Sequence, residues 1–212
     1  MNKSILWLIG LLFVTSLSIV SCSESDGKED PYANWEERNQ RYIDSIATVA
    51  EANQGNEVGQ WKIIRSYKLP PLGLNETGKV NDNVYCKIVK IGDGTTSPIA
   101  TDTVAVNYRG QFINGTVFDQ SYQGELDPET ATPKTFVAGG VIAGWSTALM
   151  KGYGGMKVGD QWELYIPYQL GYGKDGYSDI PGYSTLIFNV NLVGISPLKG
   201  TERSVDDVLV AE

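Results

Sequence analysis

Through the second half of the chain, apolar and polar residues alternate with period two. Val104, Val106 and Tyr108 recur on one side of residues 102–112, Trp162, Leu164 and Ile166 on one side of 161–170, and Leu186, Phe188 and Val190 on one side of 184–195. Successive side chains of a strand point to opposite faces, so each stretch predicts a strand with one face turned inward. Residues 84–91 (VYCKIVKI) and 61–69 (WKIIRSYKL) predict two more, the latter stopped by Pro70 and Pro71. Asn114-Gly115 is a hairpin signal, TVFDQSY follows it, and residues 123–134 predict a loop. Two stretches have helical spacing instead. In residues 35–54, Trp35, Tyr42, Ile46, Val49 and Ala50 fall near one face before Gly55; in 142–150, Ile142, Trp145 and Leu149 do so before Gly152. A short helix among antiparallel strands gives an α+β class, and the stripe of the first helix is expected to dock on the main domain in preference to a second copy.

The N-terminus follows other rules. Lys3 precedes an apolar core over residues 5–20, shorter than the roughly 20 apolar residues of a spanning helix, and Thr15, Ser16 and Ser18 interrupt it. The segment closes on Ile19-Val20-Ser21-Cys22, which resembles the lipobox of bacterial lipoproteins. That resemblance implies removal of residues 1–21 as a signal peptide and acylation of Cys22, and several acyl chains anchor a protein firmly. Residues 22–33 are short and acidic and predict a tether. Residues 34–83 then form a helical and extended appendage, 84–198 the main domain, and 199–212 a tail. The expected location is the bacterial cell envelope, lipid-anchored to the outer membrane, with both its periplasmic and its surface face open to the protein.

Charge and composition narrow the chemistry. With 17 basic and 25 acidic residues the formal charge is −8, without a basic cluster, which argues against nucleic acid as a partner. Membrane attachment is therefore expected through the lipid on Cys22. The chain contains no histidine, which excludes a histidine metal site or a histidine-dependent triad, and its two cysteines are too few for a cysteine metal cluster. With Cys22 acylated, Cys86 has no partner for a disulfide and reads as structural.

The segments VAVNYRG, NGTVFDQSY, TFVAGGVIAGW, MKVGDQWELYIPYQLGYG and STLIFNVNLVGI, in that order, resemble the FK506-binding-protein (FKBP) type of peptidyl-prolyl cis/trans isomerase. The resemblance covers about residues 84–196 and implies a strongly bent antiparallel sheet wrapped around one short helix. It further implies an aromatic pocket built from Tyr108, Phe118, Asp119, Val141, Ile142, Trp145, Tyr172 and Phe188, with Ile180 covering one side. In the family the tryptophan forms the pocket floor, the aspartate lies on the rim, and the tyrosine donates to a substrate carbonyl. Gly144 is expected to keep the approach to Trp145 open. The chain departs from the pattern at Lys134, where the family often has a phenylalanine and an aromatic wall is lost. It departs again at KGYGG, an expected extra turn after the helix, and in the loop before the last strand, where Tyr177 stands near a position that sometimes holds histidine.

Rotation about a prolyl bond breaks no covalent bond, but it must cross a twisted state that has lost amide resonance, against about 18–20 kcal/mol. A dry aromatic cavity suits that state, which carries less charge separation than the planar amide. No metal or other cofactor is called for. The expected ligands are proline-containing peptides, unfolded envelope proteins and FK506-like macrolides. Two rivals use the same cavity: a peptide-binding module or chaperone without turnover, and a lipoprotein that captures a small molecule.

Overall fold

Both faces of the central sheet are buried, and the reason is visible in its register. A computed structural model describes residues 30–128 and 130–198. Helix α1 (Trp35–Ala52) is followed by strands β1 (Trp61–Arg65), β2 (Asn83–Lys90), β3 (Thr103–Gln111), β4 (Val117–Gln120) and β5 (Lys134–Val137). Helix α2 (Ala143–Leu149), β6 (Gln161–Ile166) and β7 (Leu186–Ser196) complete the order, with short 3-10 turns at Val80–Asp82 and Tyr168–Leu170. Tyr85, Tyr165 and Ile187 form one cross-strand row, and Cys86, Leu164 and Phe188 form the next. Adjacent rows face opposite ways. The first packs against Ile43, Ala47 and Ala50 of α1, while Phe188 of the second meets Trp145 of α2.

The strand order is β1-β2-β6-β7-β3-β4, with β5 also on β3, and every pairing is antiparallel. Strands β5 and β4 divide one edge of β3 between them, β5 pairing residues 103–106 and β4 residues 109–111. The register slips at Ile88/Lys90, Ala105/Val106 and Gly110/Gln111. An extra residue on one strand bends it and increases its twist. The result is the open, strongly bent α+β sheet expected, with α2 on its inner side.

Several expectations shift. Lys134 opens β5, paired with Val106, and β4 ends at Gln120, so the loop lies over 121–133 and both its ends come earlier than its spacing predicts. The buried face of α1 runs through Trp35, Asn39, Ile43, Ala47 and Ala50; Tyr42 and Ile46 flank it, and Val49 is 52% exposed. Asn39 explains the rotation. Its Oδ1 accepts the Thr185 N–H at 2.7 Å and its Nδ2 donates to the Trp35 carbonyl at 2.7 Å, so a polar residue sits at the centre of the buried stripe. Trp35 Nε1 donates to Ser184 Oγ at 2.9 Å beside it. Strand β1 is hydrogen-bonded along β2, and α1 packs on the row of Tyr85, Tyr165 and Ile187. The signal segment 1–21, Cys22, most of the 22–33 tether and the 199–212 tail lie outside the described residues. No helix among the described residues is long and apolar enough to cross a membrane.

Candidate active site

Trp145 is 4% exposed, and three rings meet it edge-on: Tyr108 at 5.3 Å, Phe136 at 5.9 Å and Phe188 at 5.2 Å, with interplanar angles of 87°, 76° and 83°. Edge-to-face packing sets the positive rim of one ring against the negative face of another. Phe118 extends the cluster, meeting Phe188 at 5.4 Å and 90°. Gly110 on β3 makes room for that pair, since a Cβ there would stand 2.6 Å from Phe188 Cε1 and 2.7 Å from Phe118 Cζ. A cavity of about 650 Å³ opens over the rings, in the size range of small-molecule sites. Val141 and Ile142, just before α2, line it, as do Tyr172 after β6 and Ile180 before β7.

Asp119 on β4 is the hub of the polar side. Tyr108 Oη donates to its Oδ2 at 2.5 Å, and Lys134 Nζ donates to its Oδ1 at 3.1 Å and to Tyr108 Oη at 3.0 Å. The ammonium also lies 5.0 Å from the Tyr108 ring centroid. Burial, then the bond to Asp119, pushes the Tyr108 pKa up, with Lys134 pulling the other way. The Lys134 pKa rises through its bond to Tyr108 and, against some burial, its bond to Asp119. Both side chains of the ion pair are about half exposed, so the pair itself contributes at most about 1 kcal/mol. Burial, then the charge of Asp119, raises Tyr172, whose hydroxyl has no hydrogen-bond partner among the described residues. The Trp145 indole N–H is buried and likewise unpaired.

Every residue expected at the pocket lines this one cavity: Tyr108, Phe118, Asp119, Val141, Ile142, Trp145, Tyr172, Ile180 and Phe188. A model of the FKBP-type peptidyl-prolyl cis-trans isomerases matches residues 94–193. Over 211 residues the chain is 32% identical to the macrophage infectivity potentiator of Trypanosoma cruzi, covering 98% of this chain and 91% of that protein. The chain belongs to the FKBP-type peptidyl-prolyl isomerase family. It is 44% identical over 110 residues to the peptidyl-prolyl cis-trans isomerase Mip of Coxiella burnetii, which is 51% of this chain and 43% of that one. With the FKBP-type 22 kDa isomerase of Escherichia coli it shares 41% over 125 residues, 58% of this chain and 53% of that one. The chain thus spans about half the length of these two bacterial relatives. The crystal structure of FkpA from Escherichia coli superposes with a TM-score of 0.54 at 30% identity, covering 78% of this chain and 61% of that one.

This FKBP-type cavity is also lined by Phe136 and Tyr177, which the expected pocket set did not include. Phe136, two residues after Lys134, supplies its own ring to the cavity, while position 134 supplies an ammonium in place of a ring. Tyr177 stacks on Tyr172 at 5.3 Å and 14°. Its loop is closed by reciprocal backbone bonds with Ile180, at 3.0 and 2.9 Å. Gly176 allows that closure, having a φ of +74° and leaving no room for a Cβ, which would lie 2.2 Å from the Ile180 carbonyl oxygen. No periodicity announces such a contact. Gly144 departs from expectation: a Cβ there would meet Ile166 side-chain atoms at 2.4–2.9 Å, so this glycine seats α2 tightly on β6 and does not open a path to Trp145. KGYGG forms turns in which Gly152 and Gly154 have positive φ. Cys86 is fully buried, and burial pushes its thiol far above the usual range.

Proposed function

We propose that this FKBP-type chain is a peptidyl-prolyl cis/trans isomerase acting on proline-containing segments of envelope or exported proteins. The observation that carries the reading is one cavity in which aromatic surfaces surround the Trp145 ring while the unpartnered Tyr172 hydroxyl stands at its side. The proline ring packs against Trp145. Tyr172 donates to a substrate carbonyl, and Asp119 acts by fixing the Tyr108 hydroxyl. Proton abstraction is not needed, because the twisted amide is reached by rotation alone. Selectivity for it comes from a shaped, water-poor wall, and each 1.4 kcal/mol of preference for the twisted over the planar form gives about tenfold in rate.

A cis-to-trans assay on prolyl peptides tests this. The wild type should accelerate interconversion, and Tyr172→Phe, Asp119→Ala and Trp145→Leu should each lower kcat/KM by about tenfold or more. A pure, folded protein that leaves the peptides at their spontaneous rate would overturn it. Peptide binding without acceleration selects the non-catalytic module, a reading favoured by the ammonium of Lys134 already sitting on Asp119. FK506-like macrolides should compete for the same cavity in either case.

Within this reading, residues 84–198 carry the pocket and 34–83 buttress it, while a lipid on Cys22 and the 22–33 tether attach the protein to the envelope. The lipobox-like Ile19-Val20-Ser21-Cys22 supports the attachment.

A further inference from the structure

A second groove, of about 700 Å³, lies against the proline cavity. The two share a wall: Val141 and Ile142 line both, and Gly171 lines the groove where its neighbour Tyr172 lines the cavity. The far side of the groove comes from the region before β2, including Lys68, Lys79 and the Val80–Asp82 turn. That turn is braced on α1 by Asn81, whose Nδ2 donates to Gln40 Oε1 at 2.8 Å. The groove is therefore built jointly by the isomerase sheet and the segment that precedes it.

Its charge is uneven. Asp82 is the one carboxylate in the lining, and Arg65 already holds it at 2.8 Å. Lys68 and Lys79 are exposed and form no salt bridge among the described residues; the Lys68 ammonium only rests 5.9 Å from the Tyr67 ring. Lys79 shares the Asp82 charge with Arg65, so Lys68, Lys79 and Arg65 outnumber the one carboxylate, and in a chain of net charge −8 the groove is a local positive site.

We infer that this groove is a subsite for the client chain flanking the bound proline, and that Lys68 and Lys79 select acidic residues there. The inference rests on the isomerase reading for its first anchor. An extended chain covers about 3.3–3.6 Å per residue, so a few residues carry a client from the cavity across the two-residue wall. The occupant is a polypeptide because the groove continues from a cavity that takes one. Acidic side chains complement the lysines, and each exposed contact adds modestly, with strong dependence on salt.

The test uses the full chain and measures binding and turnover separately. A prolyl peptide of about four residues fills the cavity alone; peptides of about twelve residues extend it with glutamate-rich, neutral or lysine-rich flanks on each side in turn. A glutamate flank on one side should lower Kd about tenfold relative to its neutral counterpart. Lys68→Gln with Lys79→Gln, or high ionic strength, should remove most of that gain, while the double variant leaves binding and turnover of the short peptide unchanged. Equal Kd values for glutamate and neutral flanks, or a gain that survives in the double variant, would overturn the subsite. A glutamate-rich peptide without proline separates the two readings. If it binds in a lysine-dependent way while short prolyl peptides are neither bound nor turned over, the isomerase reading fails and the groove stands; if it does not bind while short prolyl peptides turn over and glutamate flanks add nothing, the groove fails alone.

Discussion

At the residue scale the site works without any group that titrates near neutral pH. There is no histidine, and Tyr108 and Tyr172 have pKa values raised above the ordinary phenol value, so both hydroxyls remain protonated donors through the physiological range. Lys134 is raised as well. A raised group contributes stability that is fully present below its unfolded pKa, about 10.4 for lysine, and that is lost as pH climbs through its folded value. We therefore expect kcat/KM to be flat between about pH 6 and 9 and to fall only on the alkaline side. A pH-rate profile checks this, and an inflection near pH 6–7 would contradict it. The rings of Tyr108, Phe118, Trp145, Tyr172 and Phe188 were legible through the motifs that carry the family resemblance. The contacts of Phe136 and Tyr177 were not, because they depend on a four-residue strand and on a loop closed by backbone bonds.

Elements reach the site through one another. Helix α1 contributes no residue to the proline cavity, yet it covers the Tyr85, Tyr165 and Ile187 row and grips the start of β7. The grip runs through Asn39, which satisfies the buried Thr185 amide, and through Trp35, which bonds Ser184. Those two residues follow directly on the loop that supplies Tyr177 and Ile180 to the cavity. Replacing Asn39 by alanine leaves that amide unpaired, which costs about 1–3 kcal/mol. Urea unfolding should show that loss, and KM for prolyl peptides should rise as the loop loosens. An unchanged midpoint would mean that α1 only covers the sheet. The helix itself was readable from its spacing, but its buried face was not, since an asparagine at the centre of the stripe looks polar until its partners are known.

At the scale of the whole molecule, a cavity walled by largely buried rings is combined with a proposed covalent attachment. Labelled palmitate should appear on the wild-type chain and vanish in Cys22→Ser, while the released protein keeps its turnover; a wild-type chain without label would sink the anchor. The sequence by itself determined the α+β class and excluded histidine chemistry, because strand alternation and residue type are local properties, and its ordered motifs carried the family resemblance that implied the aromatic pocket. Tertiary structure alone decided which polar atoms meet: Lys134 and Tyr108 on Asp119, Asn39 on Thr185, Gly144 against Ile166. It also decided that residues before β2 build a groove beside the cavity. The physical reason is range. Periodicity records which side of an element is buried, whereas hydrogen-bond partners and shared walls join residues tens of positions apart, and only the folded register brings them within reach.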